Sequence, residues 1–312
     1  MRRIAVIGFG NIARKHIEVF RAHGCQIIAS CNRSESSNYL ASAEIGIPVT
    51  YQDYHKMITE TKPEGILVCV SFWSMYKVLR DIIPYGIPIL AEKPTGTSLA
   101  EHFELLSLST THQTPVMVGL NRRHYSVLNR AIEEAGGKEV ITSVSVEWSE
   151  NPLHLIKNRK LTDDQIKKYI FGNSIHGIDL MLWVGGEMTD YSVYYHSYSN
   201  DNHRVMMNIS GKSKSGKLCQ FSSSWDNPVP WRLVLTSRFN RFVLAPLEEC
   251  NQFTEGLVGS KRILPSTEDT LYKAGFYAQT KKFIEGRIEG FDLTSVTPSM
   301  RMAEILTKKL FD

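Results

Sequence analysis

Ile4-Ala5-Val6-Ile7-Gly8-Phe9-Gly10-Asn11-Ile12-Ala13 reads as a short buried strand, a glycine turn and the first turn of a helix. Four consecutive apolar residues suit a strand covered on both faces. Gly8-x-Gly10-x-x-Ala13 then has the spacing of a dinucleotide-binding turn: Gly8 for the tight bend, Gly10 for close approach of the backbone to a diphosphate, and small Ala13 for helix against strand. The helix start adds free N–H groups and the positive end of a dipole. His23-Gly24 stops this helix, and a second apolar strand, Gln26 to Cys31, completes a strand-helix-strand unit of about 30 residues.

Working outward, apolar runs at Ile47–Tyr51, Gly65–Ser71, Ile87–Ala91 and Pro115–Leu120 alternate with helical stretches at 36–46, 54–61, 74–83 and 98–109. That alternation predicts a doubly wound parallel sheet, an α/β Rossmann domain over residues 1–121. From residue 122 the texture changes. A helix is expected from His124 to Ala135 and another from Asn173 to Trp183, ended by Gly185-Gly186. Strands are expected at 140–148, 192–198, 205–210, 218–225, 231–236 and 241–244, and further helices at 270–285 and 298–310. Consecutive strands with short links predict a second α+β domain, 122–312, built on a largely antiparallel open sheet. Tyr194, Phe221, Trp225 and Trp231 are either a subunit interface on its open face or this domain's own core, and a homodimer or homotetramer through that sheet is the expected assembly.

The 312 residues suit two domains. With 42% apolar and 22% charged residues and a formal charge of +4, the chain is globular, and its charge makes no case for nucleic acid. No segment approaches the ~20 apolar residues of a membrane span, and the apolar run after Arg2-Arg3 is too short for a secretory signal, so a cytoplasmic protein is expected. The five cysteines contain no Cys-x-x-Cys pair, which supports neither a disulfide frame nor a zinc site.

Lys93 ends a strand at the carboxyl edge of the parallel sheet, where ligands bind, and an ammonium there suits a developing alkoxide. His176 and Asp179 are three apart on a helix and share a face; histidine titrates near neutrality and can take a hydroxyl proton. At the end of the second strand, Asn32-Arg33-Ser34 offers a cation and a hydroxyl where an acidic residue would select the ribose 2′-hydroxyl, so cofactor choice leans to NADP(H).

Gly8-Phe9-Gly10-Asn11-Ile12-Ala13, Ala91-Glu92-Lys93-Pro94, Gly119-Leu120-Asn121-Arg122-Arg123 and His176-x-x-Asp179, in that order, resemble the glucose–fructose oxidoreductase, inositol dehydrogenase and rhizopine catabolism family. The likeness runs the length of the chain, and Tyr272, Phe276 and Phe283 in a late helix extend it. It implies an NAD(P)-dependent oxidoreductase moving a hydride at a carbinol carbon of a sugar or cyclitol held between the domains. Lys93 and His176 would be catalytic. Asp179, Asn173, Asn121 and Arg122 would meet the substrate, with Arg123 and His124 in solvent. Gly8, Phe9, Gly10, Asn11, Ile12, Asn32, Arg33, Ser34, Ser71, Phe72, Trp73, Glu92 and Lys93 would line the cofactor cleft, and residues 148–159 and 223–231 would shape the pocket. One departure stands out: relatives that oxidise sugars commonly carry an aspartate four residues before the histidine, where this chain has Gly172. That leaves open a catalytically silent NAD(P)-binding sensor, or an enzyme that recycles NAD(P) internally.

Overall fold

Every residue from Ile4 to Ile7 is buried in strand β1 (Arg3–Ile7), at the centre of the first sheet. The computed structural model describes residues 2–151, 161–198, 201–225 and 231–311; of the segments expected to shape a pocket, 152–160 and 226–230 lie outside them. The chain divides into two compact units, residues 1–121 with 271–297 and residues 122–270 with 298–312. Among the described residues no helix is long and apolar enough to cross a membrane.

In the first unit, β1, α1 (Asn11–Ala22), β2 (Gln26–Cys31), α2 (Glu35–Ile45), β3 (Thr50–Tyr51), α3 (Tyr54–Thr61), β4 (Gly65–Val68), α4 (Phe72–Ile82), β5 (Ile89–Glu92), α5 (Leu99–Thr111) and β6 (Val116–Gly119) follow one another. All the sheet pairings are parallel and the strand order is β3-β2-β1-β4-β5-β6. This order reverses direction between β1 and β4, the switch point outside which α/β sheets bind ligands. Helix starts follow their caps: Ser34 accepts from the Ser37 N–H, and Ser98 from that of Glu101. On α1, Ala13, Ile17 and Phe20 form a buried stripe. Phe283 packs edge-on to Phe20 at 6.0 Å, and Val118 donates to the Phe291 carbonyl. These contacts place 271–297 in the first unit, whereas the sequence pattern grouped them with the rest of 122–312. Their apolar side chains cover α1 and β6, a long-range match that no local pattern reveals.

The second unit holds α6 (Ser126–Ala135), β7 (Ile141–Glu150), α7 (Asp163–Lys167), α8 (Ile175–Gly185), β8 (Met188–Tyr198), β9 (Asp201–Ser213), β10 (Leu218–Trp225), β11 (Arg232–Ser237), β12 (Asn240–Leu244), β13 (Cys250–Thr254) and β14 (Lys261–Ile263). The region expected to be one helix over 270–285 is two, α9 (Thr267–Leu271) and α10 (Phe276–Ile284), and the last helix is α11 (Leu293–Phe311). The eight strands pair in the order β14-β13-β12-β11-β7-β10-β9-β8, all antiparallel except β7 with β10. β13 and β14 escaped the sequence pattern because Cys-Asn-Gln-Phe-Thr and Lys-Arg-Ile lack a clear apolar alternation.

The four aromatics do not share a face. Phe221 and Trp225 are buried, while Tyr194 is 64% exposed; Tyr194 pairs through Asn208 with Ser222, one residue out of phase with Phe221. Helix α8 lies on β7 and β10. It gets close because of Gly177, where an added Cβ would sit 2.7 Å from the Phe221 ring and 2.8 Å from that of Trp148. Substituting Gly177→Ala is expected to destabilise this unit by about 1–3 kcal/mol despite alanine's better helix propensity, because two rigid rings must move. Urea unfolding of the variant measures it, and a loss under about 0.5 kcal/mol would show that α8 does not need the glycine.

Candidate functional site

Five segments of the first unit leave the carboxyl ends of its strands, and the expected cofactor residues fall on them. After β1, Gly8 has φ +89° and its N–H donates to the Cys31 carbonyl at 2.9 Å. A Cβ at Gly8 would lie 2.5 Å from the Cys69 carbonyl oxygen, so only glycine fits. Gly10 is different. It precedes α1 with φ −118° and ψ −173°, which any residue adopts, and a Cβ there would meet no atom within 4 Å. The protein's own packing makes no demand for glycine at Gly10. Asn11 and Ile12 then expose the first turn of α1, and Phe9 packs beneath the Arg14 guanidinium, 4.5 Å from its ring centre.

Asn32, after β2, is buried and its amide donates to Asn38, while Arg33 and Ser34 are exposed at the start of α2. After β4, Ser71 pairs with the Ser74 hydroxyl at 2.9 Å, and Phe72 meets Trp73 edge-on at 4.9 Å. Trp73 is 45% exposed, which excludes a role as core packing. After β5 come Glu92 and the half-buried Lys93. The loop behind Lys93 is tied down residue by residue: Thr97 N–H donates to Glu101 at 2.6 Å, the Thr95 hydroxyl lies 3.4 Å from His102 Nδ1, and His102 Nε2 lies 2.9 Å from the Thr297 hydroxyl. After β6, the Asn121 amide donates to the Ala274 carbonyl at 2.9 Å.

In the second unit His176 is buried near the start of α8, its ring 6.4 Å from that of Trp148. A π-helical turn, Ile170–Ser174, leads into it, and such turns are frequent at functional sites. Lysines cap the other end of α8: Lys138 Nζ donates to the Trp183 carbonyl and Lys217 Nζ to that of Val184, both at 3.1 Å. Trp148 stacks on Trp231 at 4.1 Å and 7°, and the Arg122 guanidinium lies about as close to both rings, 5.1 and 4.8 Å.

Two expectations fail here. Arg123 and His124 are not in solvent; both are 3% exposed. Asp179, expected at the substrate, has its carboxylate taken up by Arg123 through two bonds of 2.7 and 2.5 Å and by Ser299 at 2.8 Å. Burial forces that result, since a carboxylate inside a protein needs a charge partner and full hydrogen bonding. The Asn173 amide, expected at a substrate hydroxyl, donates to Glu150 at 2.6 Å.

Residues 2–120 match the model of the GFO/IDH/MocA proteins, described as an oxidoreductase family with an NAD-binding Rossmann fold. Those residues are a domain of that oxidoreductase family. The chain is similar to a myo-inositol 2-dehydrogenase of Thermotoga maritima, 22% identical over 56% of this chain and 57% of that protein. It is similar also to the rhizopine catabolism protein MocA of Rhizobium meliloti, 25% identical over 61% of this chain and 60% of that one. These matches span less than two thirds of either relative. Along its full length the fold is that of a Gfo/Idh/MocA family oxidoreductase from Vibrio cholerae, with a TM-score of 0.83, 17% identity and coverage of 99% of this chain and 98% of that one.

Two buried polar residues, Glu150 and His16, were not among those expected at the site. Glu150 is buried and accepts from Trp148 Nε1 at 2.6 Å, from Asn173 and from the Ser174 hydroxyl at 3.2 Å, so a carboxylate does lie beside the segment that has glycine at 172. Its signal was available: Val144, Val146, Trp148 and Glu150 alternate onto the buried face of β7. His16 sits on the buried stripe of α1, and its Nε2 lies 2.9 Å from Glu92. Burial works to raise the Glu92 carboxyl, but its hydrogen bond with His16 and the charge and backbone N–H of Lys93 outweigh it and hold the group below its ordinary 4.5. A carboxyl depressed in the folded state stabilises the protein above its unfolded pKa, and the contribution fades as pH falls through the folded value. The stability gap between wild type and Glu92→Gln should therefore narrow as pH is lowered from 6 to about 3. A gap constant across that range in urea titrations would contradict the charged assignment of Glu92.

Proposed function

We propose that the protein is an NAD(P)-dependent oxidoreductase acting on a carbinol or carbonyl carbon of a sugar-like substrate, with NADP(H) preferred over NAD(H). The observation that carries this reading is Gly10, a glycine that no neighbour in the chain requires, at the head of α1 beside the strand-order reversal. Free N–H groups of residues 10–12 would hold the diphosphate, Arg33 and Ser34 a ribose 2′-phosphate, and Ser71, Phe72 and Trp73 the neighbouring wall. A bound nicotinamide supplies or accepts the hydride. Lys93 would polarise the substrate oxygen and His176 would carry its proton, with Arg122 and Asn173 as further polar contacts. Asp179 acts behind them by holding Arg123. Sugar-like substrates fit the names of the inositol dehydrogenase and rhizopine relatives. The open face of the second sheet, with Tyr194 outward, would serve assembly into a homodimer or homotetramer.

Gly172 favours a second reading, a dinucleotide-binding sensor without turnover, since the residue supplies no acid or base. Titrating NADH and NADPH separately by fluorescence, then screening sugars with the tighter binder, separates the two: bound dinucleotide without hydride exchange across the panel is the sensor's outcome. For an enzyme, Lys93→Met and His176→Ala should each lower kcat on the identified substrate by about 100-fold or more. Both variants turning over at the wild-type rate would end the assignment. Arg33→Asp should weaken NADPH by about tenfold and leave NADH within about twofold, as loss of one charge-assisted phosphate contact requires; equal effects on both coenzymes would refute the NADP(H) preference.

A further inference from the structure

We propose that His16, through Glu92, is a positioning residue for Lys93. The proposal rests on the reading of Lys93 as the group at the substrate oxygen, and it names the buried device that aims it. His16 is fully buried on α1, and its ring stacks on Phe276 at 4.0 Å and 19°. A leucine or phenylalanine would fill that space equally well. Histidine places Nε2 2.9 Å from Glu92 Oε1, and the backbone N–H of Lys93 donates to Glu92 Oε2 at 3.3 Å. One carboxylate thus joins the middle of α1 to the residue after β5.

The direction of the bond follows from the rest of the ring. His16 Nδ1 is buried with no hydrogen-bond partner among the described residues. A bare ring nitrogen tolerates that position better than a buried N–H, which would lose its hydration without compensation. The proton therefore sits on Nε2 and is donated to Glu92. Space for the carboxylate is provided from β6: a Cβ on Gly119 would lie 3.0 Å from the Ala91 carbonyl oxygen, 3.1 Å from Glu92 Cα and 3.3 Å from its carboxyl carbon. Among the described residues, the charged and titratable groups facing Glu92 are His16, the Lys93 ammonium and the Cys69 thiol beyond β4, which burial and then the Glu92 charge push well above its ordinary range. Among them Lys93 is the cation, so a fixed Glu92 is a fixed counter-charge for it.

If the Nε2–H donor is removed, the buried carboxylate must turn towards solvent or take up a proton. Either way the Lys93 ammonium keeps less of its counter-charge, and its amine becomes free at lower pH.

The test labels Lys93 with acetic anhydride across a pH series in the full chain without coenzyme or substrate, read by mass spectrometry against exposed Lys56. A moved midpoint reports charge, whereas a changed plateau reports access. Glu92→Gln should lower the midpoint by about one pH unit, equivalent to labelling about tenfold faster at a fixed pH below it. His16→Phe, which keeps a ring against Phe276, should move it in the same direction with labelling at least about threefold faster, and His16→Gln, which restores an N–H donor, should label within about twofold of wild type. A wild-type or raised midpoint in His16→Phe alongside a lowered one in Glu92→Gln would reduce His16 to core filling. An unmoved midpoint in Glu92→Gln would remove Glu92 from the control of Lys93 and overturn the proposal, even if His16→Phe fails to fold. Because the assay involves no hydride transfer, a negative result here is distinct from the wild-type turnover of Lys93→Met that would refute the oxidoreductase reading.

Discussion

A side chain cannot exist at residue 8. The Cys69 carbonyl oxygen lies where its Cβ would be, 2.5 Å from the built position, and φ is +89°. This close approach brings the ends of β1 and β4 together where the strand order turns back on itself, and it lets the chain bend into α1 within three residues. Gly10 then leaves the head of that helix bare. With the bend in place, the segments after β2, β4, β5 and β6 come to the same sheet edge as a consequence of parallel pairing, because every strand in the sheet points the same way.

The second unit solves a different problem, that of holding a histidine helix against a sheet while keeping its polar groups satisfied. Gly177 supplies the proximity. Arg123 and Ser299 neutralise and saturate Asp179, Glu150 gathers the polar groups that precede α8, and two lysines close its carbonyl end. Arg123 and Asp179, both buried, answer each other's charge, as burial demands. The arrangement fixes both ends of one helix and leaves His176 on a support with little freedom to shift.

How much of this could be read from residues alone depended on distance along the chain. The glycine turn, the parallel domain and the strand ends were legible because their causes are local: apolar runs, caps and bends within a few residues. The same holds for Lys93, which a strand end and a proline mark. What stayed hidden was decided by partners far away in sequence. Asp179 looked like a substrate ligand until Arg123, 56 residues earlier, claimed it, and Arg123 itself read as a surface charge. Phe283 looked like part of a C-terminal helix domain, although the groove beside Phe20 is where it lies. Nothing in its local sequence marks His16; its reason to be a histidine is Glu92, 76 residues on.

If the bend after β1 exists to admit a diphosphate, Gly10→Val tests it most directly. Its Cβ meets nothing and its backbone conformation suits any residue, so the variant should fold with a melting temperature close to wild type. Measured by fluorescence titration, its affinity for the preferred nicotinamide dinucleotide should fall by about 100-fold or more, since branched carbons would occupy the space the phosphates need. Binding within about threefold of wild type, in a variant shown to be folded, would contradict the account.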